Sequence, residues 1–433
     1  MSTSPGTPDV VDLCAQLIRF DTTNRGGGSS EGEREAAEFV AARLEDAGVR
    51  PTVLEPAPRR TNVLARIPGS QPELPALLVQ AHLDVVPADP AEWSVHPFSG
   101  EVRDGYVWGR GAVDMKDMAA MTIAVVAEWA ATGRRPRRDI VLAFVADEED
   151  QGEFGAHWLV TNHPQHFAGC QAAISESGGF SYHVDGTRLY PIGAAERGTS
   201  HLKLTATGRA GHGSRRNPAN AVTRLVQALA RISSYEHPIR LTPVVEAFLV
   251  GTGKALGVEV DLSDVDGTIA RLGPAATLVE NTVRNSTTPT MLQAGYKVNV
   301  IPGTATAQLD VRTLPGTVDE LTATIDELLG PDVRREYLEH QPPVQAPIDS
   351  PWFTAMADAI TDEDPEAVVV PYCLGGGTDA KAFSTLGIDC YGFAPLSLPV
   401  GFDYRAMAHG VDERVPVDGL RFGVRVLDRF LSR

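Results

Sequence analysis

The sequence predicts an α/β fold, with a mainly parallel sheet flanked by helices and a smaller ferredoxin-like α+β domain inserted into it. Three observations carry this. Short, nearly continuous apolar runs alternate with helical stretches before residue 195. After that point the apolar residues alternate with period two. Beyond about residue 343 the first style returns.

The elements follow in order. Val10, Val11, Leu13, Leu17 and Ile18 recur at helical spacing, which predicts a helix over 9–20. A second helix spans 31–47 and ends before Gly48. Between them, residues 22–30 hold Gly26, Gly27 and Gly28 and read as a loop. The apolar runs 76–81, 140–145 and 171–174 suit strands buried on both faces, as in a parallel sheet. A helix over 116–131, closed by Gly133, separates the first two, and one over 153–162 separates the second and third. Strand, helix, strand, helix, strand is the signature of an α/β domain. This first part covers 1–195.

Residues 201–207 alternate with period two, so one face of that strand is wet. A helix over 219–232 follows, with Pro218 in its first turn. Strands at 296–301 and 304–312, a helix at 318–329 and a strand at 333–338 complete the set. Setting aside 233–289, the order is β-α-β-β-α-β, the ferredoxin-like pattern. The set-aside stretch is too long for a bare connection and contains apolar segments at 244–250 and 278–283. It is expected to be a folded helical insertion. The inserted domain is placed at 196–343, with hinge candidates near 194–195 and 344–346. The first domain resumes over 344–433, with a helix at 352–360, a strand at 368–372 and a helix at 417–431.

Composition narrows the function. The chain has 433 residues, 43% apolar and 22% charged, ordinary for a globular protein with a large core. Its net charge of −18 gives no general attraction for nucleic acid or anionic lipid. Cys14, Cys170, Cys373 and Cys390 form no metal or disulfide spacing, which fits a reducing compartment. Met1 to Pro8 lacks the basic and apolar regions of a signal peptide, and the longest apolar stretch, 119–131, is short of a membrane span and contains Glu128. The expected location is cytoplasmic.

Each apolar run is followed by ligand-type residues: His82 and Asp84 after the first, Asp147-Glu148-Glu149-Asp150 after the second, Glu176 after the third. Ligands of open α/β sheets bind at the carboxyl ends of the strands, so one sheet edge gathers all of them. So many carboxylates together repel and desolvate one another, and divalent cations would offset that cost. Asp114, in the glycine-rich run 109–116, and His409, before the last helix, could complete the set. Imidazole nitrogen with carboxylate oxygen suits zinc and would accept cobalt or manganese. Each string has an ordinary reading alone. A His-x-Asp is commonly structural, an acidic run is commonly a solvated loop, and Asp114 could be a helix N-cap.

The strings HLD at 82–84, GRGAVDMK at 109–116, DEED at 147–150, SES at 175–177, GHGS at 211–214 and HG at 409–410 together resemble one family. It is the zinc peptidase and amidohydrolase family of acetylornithine deacetylase, succinyl-diaminopimelate desuccinylase, aminoacylase and glutamate carboxypeptidase. The resemblance implies two Zn2+ per chain, bridged by Asp114. His82 and Glu176 would complete one metal's shell, and Glu149 and His409 the other's. Asp84 would sit behind His82 and fix its tautomer. Glu148 would be the general base, acting on a metal-activated water and then on the leaving amine. Adjacent Glu148 and Glu149 could divide these tasks if the segment is extended and side chains alternate.

The resemblance also makes the inserted domain a lid and a homodimerisation surface. His212 would stabilise an oxyanion, commonly in the partner subunit, and its other reading is a turn residue between glycines. Asn299 and Arg312 match positions approaching a substrate carboxylate, a task suited to arginine's fork, and otherwise are exposed strand residues. Gly376, in the run 374–379, matches the substrate loop. Larger relatives carry longer lids, and the insertion here could enlarge an acyl pocket or cover the usual dimer face. The implied substrate is an N-acyl amino acid or small peptide with a free carboxylate. A dipeptidase or carboxypeptidase and a catalytically silent metal-dependent binder are the alternatives. A serine hydrolase using Ser214 or Ser384 finds no G-x-S-x-G elbow.

Overall fold

The computed structural model describes residues 7–433. The N-terminal expectation therefore falls largely outside the described residues. Two compact units divide the chain. One comprises the residues up to Ala194 with Ala346–Pro371 and Thr378–Arg433, and the other comprises Ala195–Gln345 with Tyr372–Gly377.

In the first unit, Ala76–His82 pairs in parallel with Ile140–Val145 on one side and Cys170–Ser175 on the other. Asp389–Gly392 extends the parallel set beyond Cys170–Ser175. Every residue of Ala76–His82 and Ile140–Val145 is buried, as strands covered on both faces require. The helix Lys116–Thr132 packs against Val10–Ile18 and Val417–Leu431. It ends at Gly133, whose φ of 67° is the left-handed cap that glycine adopts without strain.

The sheet is mixed rather than wholly parallel. Thr52–Ala57 and Arg60–Ile67 form a hairpin, and Arg60–Ile67 joins Ile140–Val145 antiparallel. Periodicity does not announce this hairpin, because the buried part of its second strand begins with polar residues, Arg60, Thr61 and Asn62. A long strand, Thr187–Glu196, runs antiparallel beside Asp389–Gly392.

The second unit holds a four-stranded sheet in the order Ser286–Ala294, Thr304–Thr313, Gly198–Thr207, Val333–Gln341, with all neighbours antiparallel. Leu202, Leu204, Ala206, Ala307, Leu309 and Val311 face Leu225, Ile232, Leu321 and Ile325 of the helices Ala221–Ser234 and Val318–Leu329. The connectivity is β-α-β-β-α-β once the intervening helices Pro243–Leu256 and Val265–Arg271 are set aside.

Two expectations change here. The strand expected at 296–301 is only Val300–Ile301, which pairs with Gly211–His212. The sheet's edge strand is instead Ser286–Ala294, so the helical insertion ends before residue 286. That strand is polar and largely exposed, so it shows no apolar alternation. Pro289 is tolerated because it lies at an edge and beside a register shift. Pro218 lies outside its helix, which starts at Ala221. Asn220 is the N-cap, accepting from the N–H groups of Val222 and Thr223. Among the described residues no helix is long and apolar enough to cross a membrane.

Candidate active site

The parallel strands deliver their following residues to one edge. His82 ends its strand opposite Val145. Glu148 and Glu149 follow Val145 within four residues, and Glu176 follows Ser175 directly. Asp114 comes from the loop before Lys116–Thr132, and His409 follows the short helix Tyr404–Met407.

These residues converge. His82 Nε2 lies 3.1 Å from Asp114 Oδ1 and 3.9 Å from Glu176 Oε1. His409 Nε2 lies 3.2 Å from Asp114 Oδ2 and 3.1 Å from Glu149 Oε2. The result is two triads, His82–Asp114–Glu176 and Asp114–Glu149–His409, in each of which the ligand atoms lie within 4.8 Å of one another. Asp114 belongs to both and presents a different oxygen to each histidine. It is not an N-cap, since Met115 holds that position.

The electrostatics follow from packing four carboxylates around two imidazoles. Burial, then the charge of Glu176, raises Glu148 well above the usual carboxylate range, and burial also raises Glu149. Burial works against the Asp114 anion, yet the bonds from His409 and His82 hold its pKa down. Burial likewise opposes charge on His82, but the bond to Asp114 and the charges of Glu148 and Glu176 raise it. Hydrogen bonds to Asp114 and Glu149 push His409 up to about 10. Glu149 Oε1 is buried with no hydrogen-bond partner. An unpartnered carboxylate oxygen inside a His/Asp/Glu donor set is what a divalent cation would satisfy, so these residues fit a metal pair.

The loop carrying Glu148 and Glu149 differs from expectation. It is a 3-10 turn, Glu148–Asp150, flanked by Asp147 and Gln151 at φ 71° and 74°. The pair, of which Glu149 meets His409, is therefore presented by a tight helical turn and not by an extended strand. Nor is it a solvated acidic loop, since Asp147 is buried.

Asp84 also differs. The short contact to His82 Nδ1 is the backbone carbonyl of Asp84 at 3.0 Å, while its Oδ1 lies 3.7 Å away. The carboxylate turns to the loop instead. Oδ1 accepts from the Glu148 N–H, and Oδ2 from the Glu149 N–H and Asn24. Backbone donors that must be paired when buried have drawn it away from the ring.

Glu413 escaped the sequence reading. It is fully buried, and its carboxylate accepts from the N–H groups of Gly111, Val113 and Asp114 and from Arg110 Nη1 at 2.7 Å. Burial, against Arg110 and these donors, brings its pKa up to about 7. A glycine-rich loop with so many inward N–H groups needs an acceptor, and that need was the available signal.

The remaining expected site residues lie in the second unit. His212 is exposed, with Nδ1 2.8 Å from Ser214 Oγ. The Asn299 carbonyl accepts from the Gly213 N–H, which keeps these two segments together. Arg312 is engaged rather than open: Nε and Nη2 meet Asp310 at 2.7 and 2.9 Å, and Nη1 meets Thr199. Gly376 follows Gly375, whose carbonyl accepts from Arg197.

The model of peptidase family M20/M25/M40 matches residues 78–433, most of the chain. The chain belongs to that family. It is 27% identical over 406 residues to aminoacylase-1 of Sus scrofa, covering 92% of this chain and 89% of the relative. It is 28% identical over 384 residues to the N-fatty-acyl-amino acid synthase/hydrolase PM20D1 of Xenopus tropicalis, covering 84% and 73%. In fold it is similar to the M20 metallo-carboxypeptidase Sso-CP2 of Sulfolobus solfataricus, at a TM-score of 0.74 and 18% identity over 98% of this chain and 99% of that one. Membership makes the protein a metal-dependent hydrolase acting on amide or peptide bonds.

Proposed function

We propose that the chain is a dinuclear zinc amidohydrolase that cleaves an N-acyl amino acid bearing a free carboxylate. The observation that carries this is the pair of triads sharing Asp114. His82 and Glu176 would hold one metal, Glu149 and His409 the other, with Asp114 between them; cobalt or manganese could substitute. When bound, such metals supply Lewis-acid polarisation and a lowered pKa for water.

The chain's own residues do the rest. Glu148 carries the proton to the leaving amine, and the burial that favours its protonated form suits a group that must take up a proton and hand it on. Asp84 positions the backbone of Glu148 and Glu149. Substrate-facing roles for His212, Asn299, Arg312 and Gly376 rest on the family resemblance of their motifs. The acyl-amino-acid reading is favoured by aminoacylase-1 and the N-fatty-acyl-amino acid hydrolase among the relatives. A dipeptidase or carboxypeptidase is the second reading, favoured by the carboxypeptidase likeness in fold.

A homodimer through the second unit is part of this reading. Ser286–Ala294 is an unpaired sheet edge, and Met291 and Leu292 on it are each 61% exposed. Native proteins seldom leave such an edge bare.

The deciding experiment measures metal content and then turnover on a panel of N-acyl amino acids, dipeptides and longer peptides. Two metals per chain with preference for acyl amino acids supports the proposal. Preference for dipeptides moves the chain to the second reading, and fewer than about one bound metal per chain sinks the dinuclear mechanism.

A further inference from the structure

We propose that Asn24 is a positioning residue for Glu148, acting through the two carboxylates that hold its loop. The inference rests on Glu148 being the proton carrier. Asn24 lies in the loop after the first helix and is 3% exposed. The Asn24 N–H donates to the Val85 carbonyl at 2.9 Å, and Thr22 Oγ1 donates to the Leu83 carbonyl at 2.6 Å. Residues 22–24 thus lie alongside 83–85, directly behind the end of the His82 strand.

The side-chain amide is fully used. One N–H goes to Asp84 Oδ2 at 3.0 Å and the other to Asp147 Oδ1 at 3.0 Å, while Oδ1 accepts from the Gly26 N–H at 3.1 Å. Of the two carboxylates it joins, one accepts the Glu148 N–H and the other belongs to the residue just before it. Asp84 accepts the N–H of Glu148 and of Glu149. Asp147 is the preceding residue, in a left-handed conformation, and its Oδ2 accepts from the Phe154 N–H. Arg60 contacts the same Asp147 oxygen, Oδ1, that Asn24 bonds, and also reaches Glu33. Asn24 therefore stands between two acids that would otherwise repel, and it sets their spacing. The spacing sets the rotation of the peptide plane from which the Glu148 side chain leaves. Small displacements of a reacting group have large kinetic effects, about 100-fold for 1 Å.

Asn24→Ala removes both donors, and Asn24→Asp replaces them with a third carboxylate. Both are prepared as full-length metal-loaded enzyme. We expect kcat, compared at equal metal occupancy because Asp84 also holds the Glu149 N–H, to fall about 10- to 100-fold with KM unchanged. In metal-free protein, deuterium uptake at the Glu148 and Glu149 amides should rise. Asn24→Gln, which keeps the donors, should recover part of kcat and serves if Asn24→Asp does not fold. In a Glu148→Gln background, Asn24→Ala should add nothing, because its effect runs through Glu148. Unchanged kcat in Asn24→Ala, or a loss that persists in full in the Glu148→Gln background, would overturn the proposal. If Glu148→Gln alone keeps wild-type kcat, the proton-carrier reading fails first, and the two failures stay distinct.

Discussion

Glu148 and Glu149 are neighbours in the chain and keep different company. Glu149 is bonded to His409, while Glu148 is raised by burial and by Glu176. Glu148→Gln keeps the shape and removes the titrating oxygen, so kcat should fall about 100- to 10,000-fold with both metals retained, as read by turnover and elemental analysis. His409 gives a second expectation. With a pKa near 10 it carries a proton at neutral pH in the metal-free protein. A metal needs that nitrogen bare, so uptake must expel the proton and affinity must rise with pH. Calorimetry in buffers of different ionisation enthalpy should show net proton release, and a zero slope would contradict it. That His82 and Glu176 would lie together was legible because each ends or follows an apolar run, and Asp114 because it sits in a glycine-rich run, whereas His409 was marked only by the family resemblance. Asn24 and Glu413 were not, because a residue that binds backbone N–H groups leaves no mark of its own spacing.

Elements were legible in proportion to their burial. The fully buried strands Ala76–His82 and Ile140–Val145 announce themselves as apolar runs. Ser286–Ala294 does not, since an exposed edge imposes no alternation. The 3-10 turn at Glu148–Asp150 was hidden because its two flanking left-handed residues are not glycine. Gly155 ends the turn region, and a Cβ there would sit 1.7 Å from the Ala146 carbonyl oxygen. Gly155→Ala should therefore cost about 1–3 kcal/mol in denaturant unfolding and lower kcat by shifting the loop. Glu413→Ala would strand the N–H groups of Gly111, Val113 and Asp114 and the Arg110 guanidinium. A loss of about 3–5 kcal/mol is expected, with weakened metal retention, whereas Glu413→Gln keeps an acceptor and should lose less.

The whole molecule carries −18 by sequence count, and four of those acids, Asp114, Glu148, Glu149 and Glu176, gather at one sheet edge. Removing metal by chelation should abolish turnover and lower Tm, with zinc restoring both, because bound metal stabilises the folded state by mass action. A double change, Met291→Lys with Leu292→Lys, should yield monomers in light scattering while the first unit keeps its metal content. The first unit is also discontinuous. Glu176 and the residues before it are made early, while His409 and Glu413 come more than two hundred residues later. At about 5–20 residues per second, translation leaves the cluster without two of its members for on the order of tens of seconds. A nascent chain at that stage has a strand edge dense in carboxylates and lacks His409. If His409 is a metal ligand as proposed, amide hydrolysis waits for the C-terminal segment to be made, and the chain is inert as a hydrolase until then.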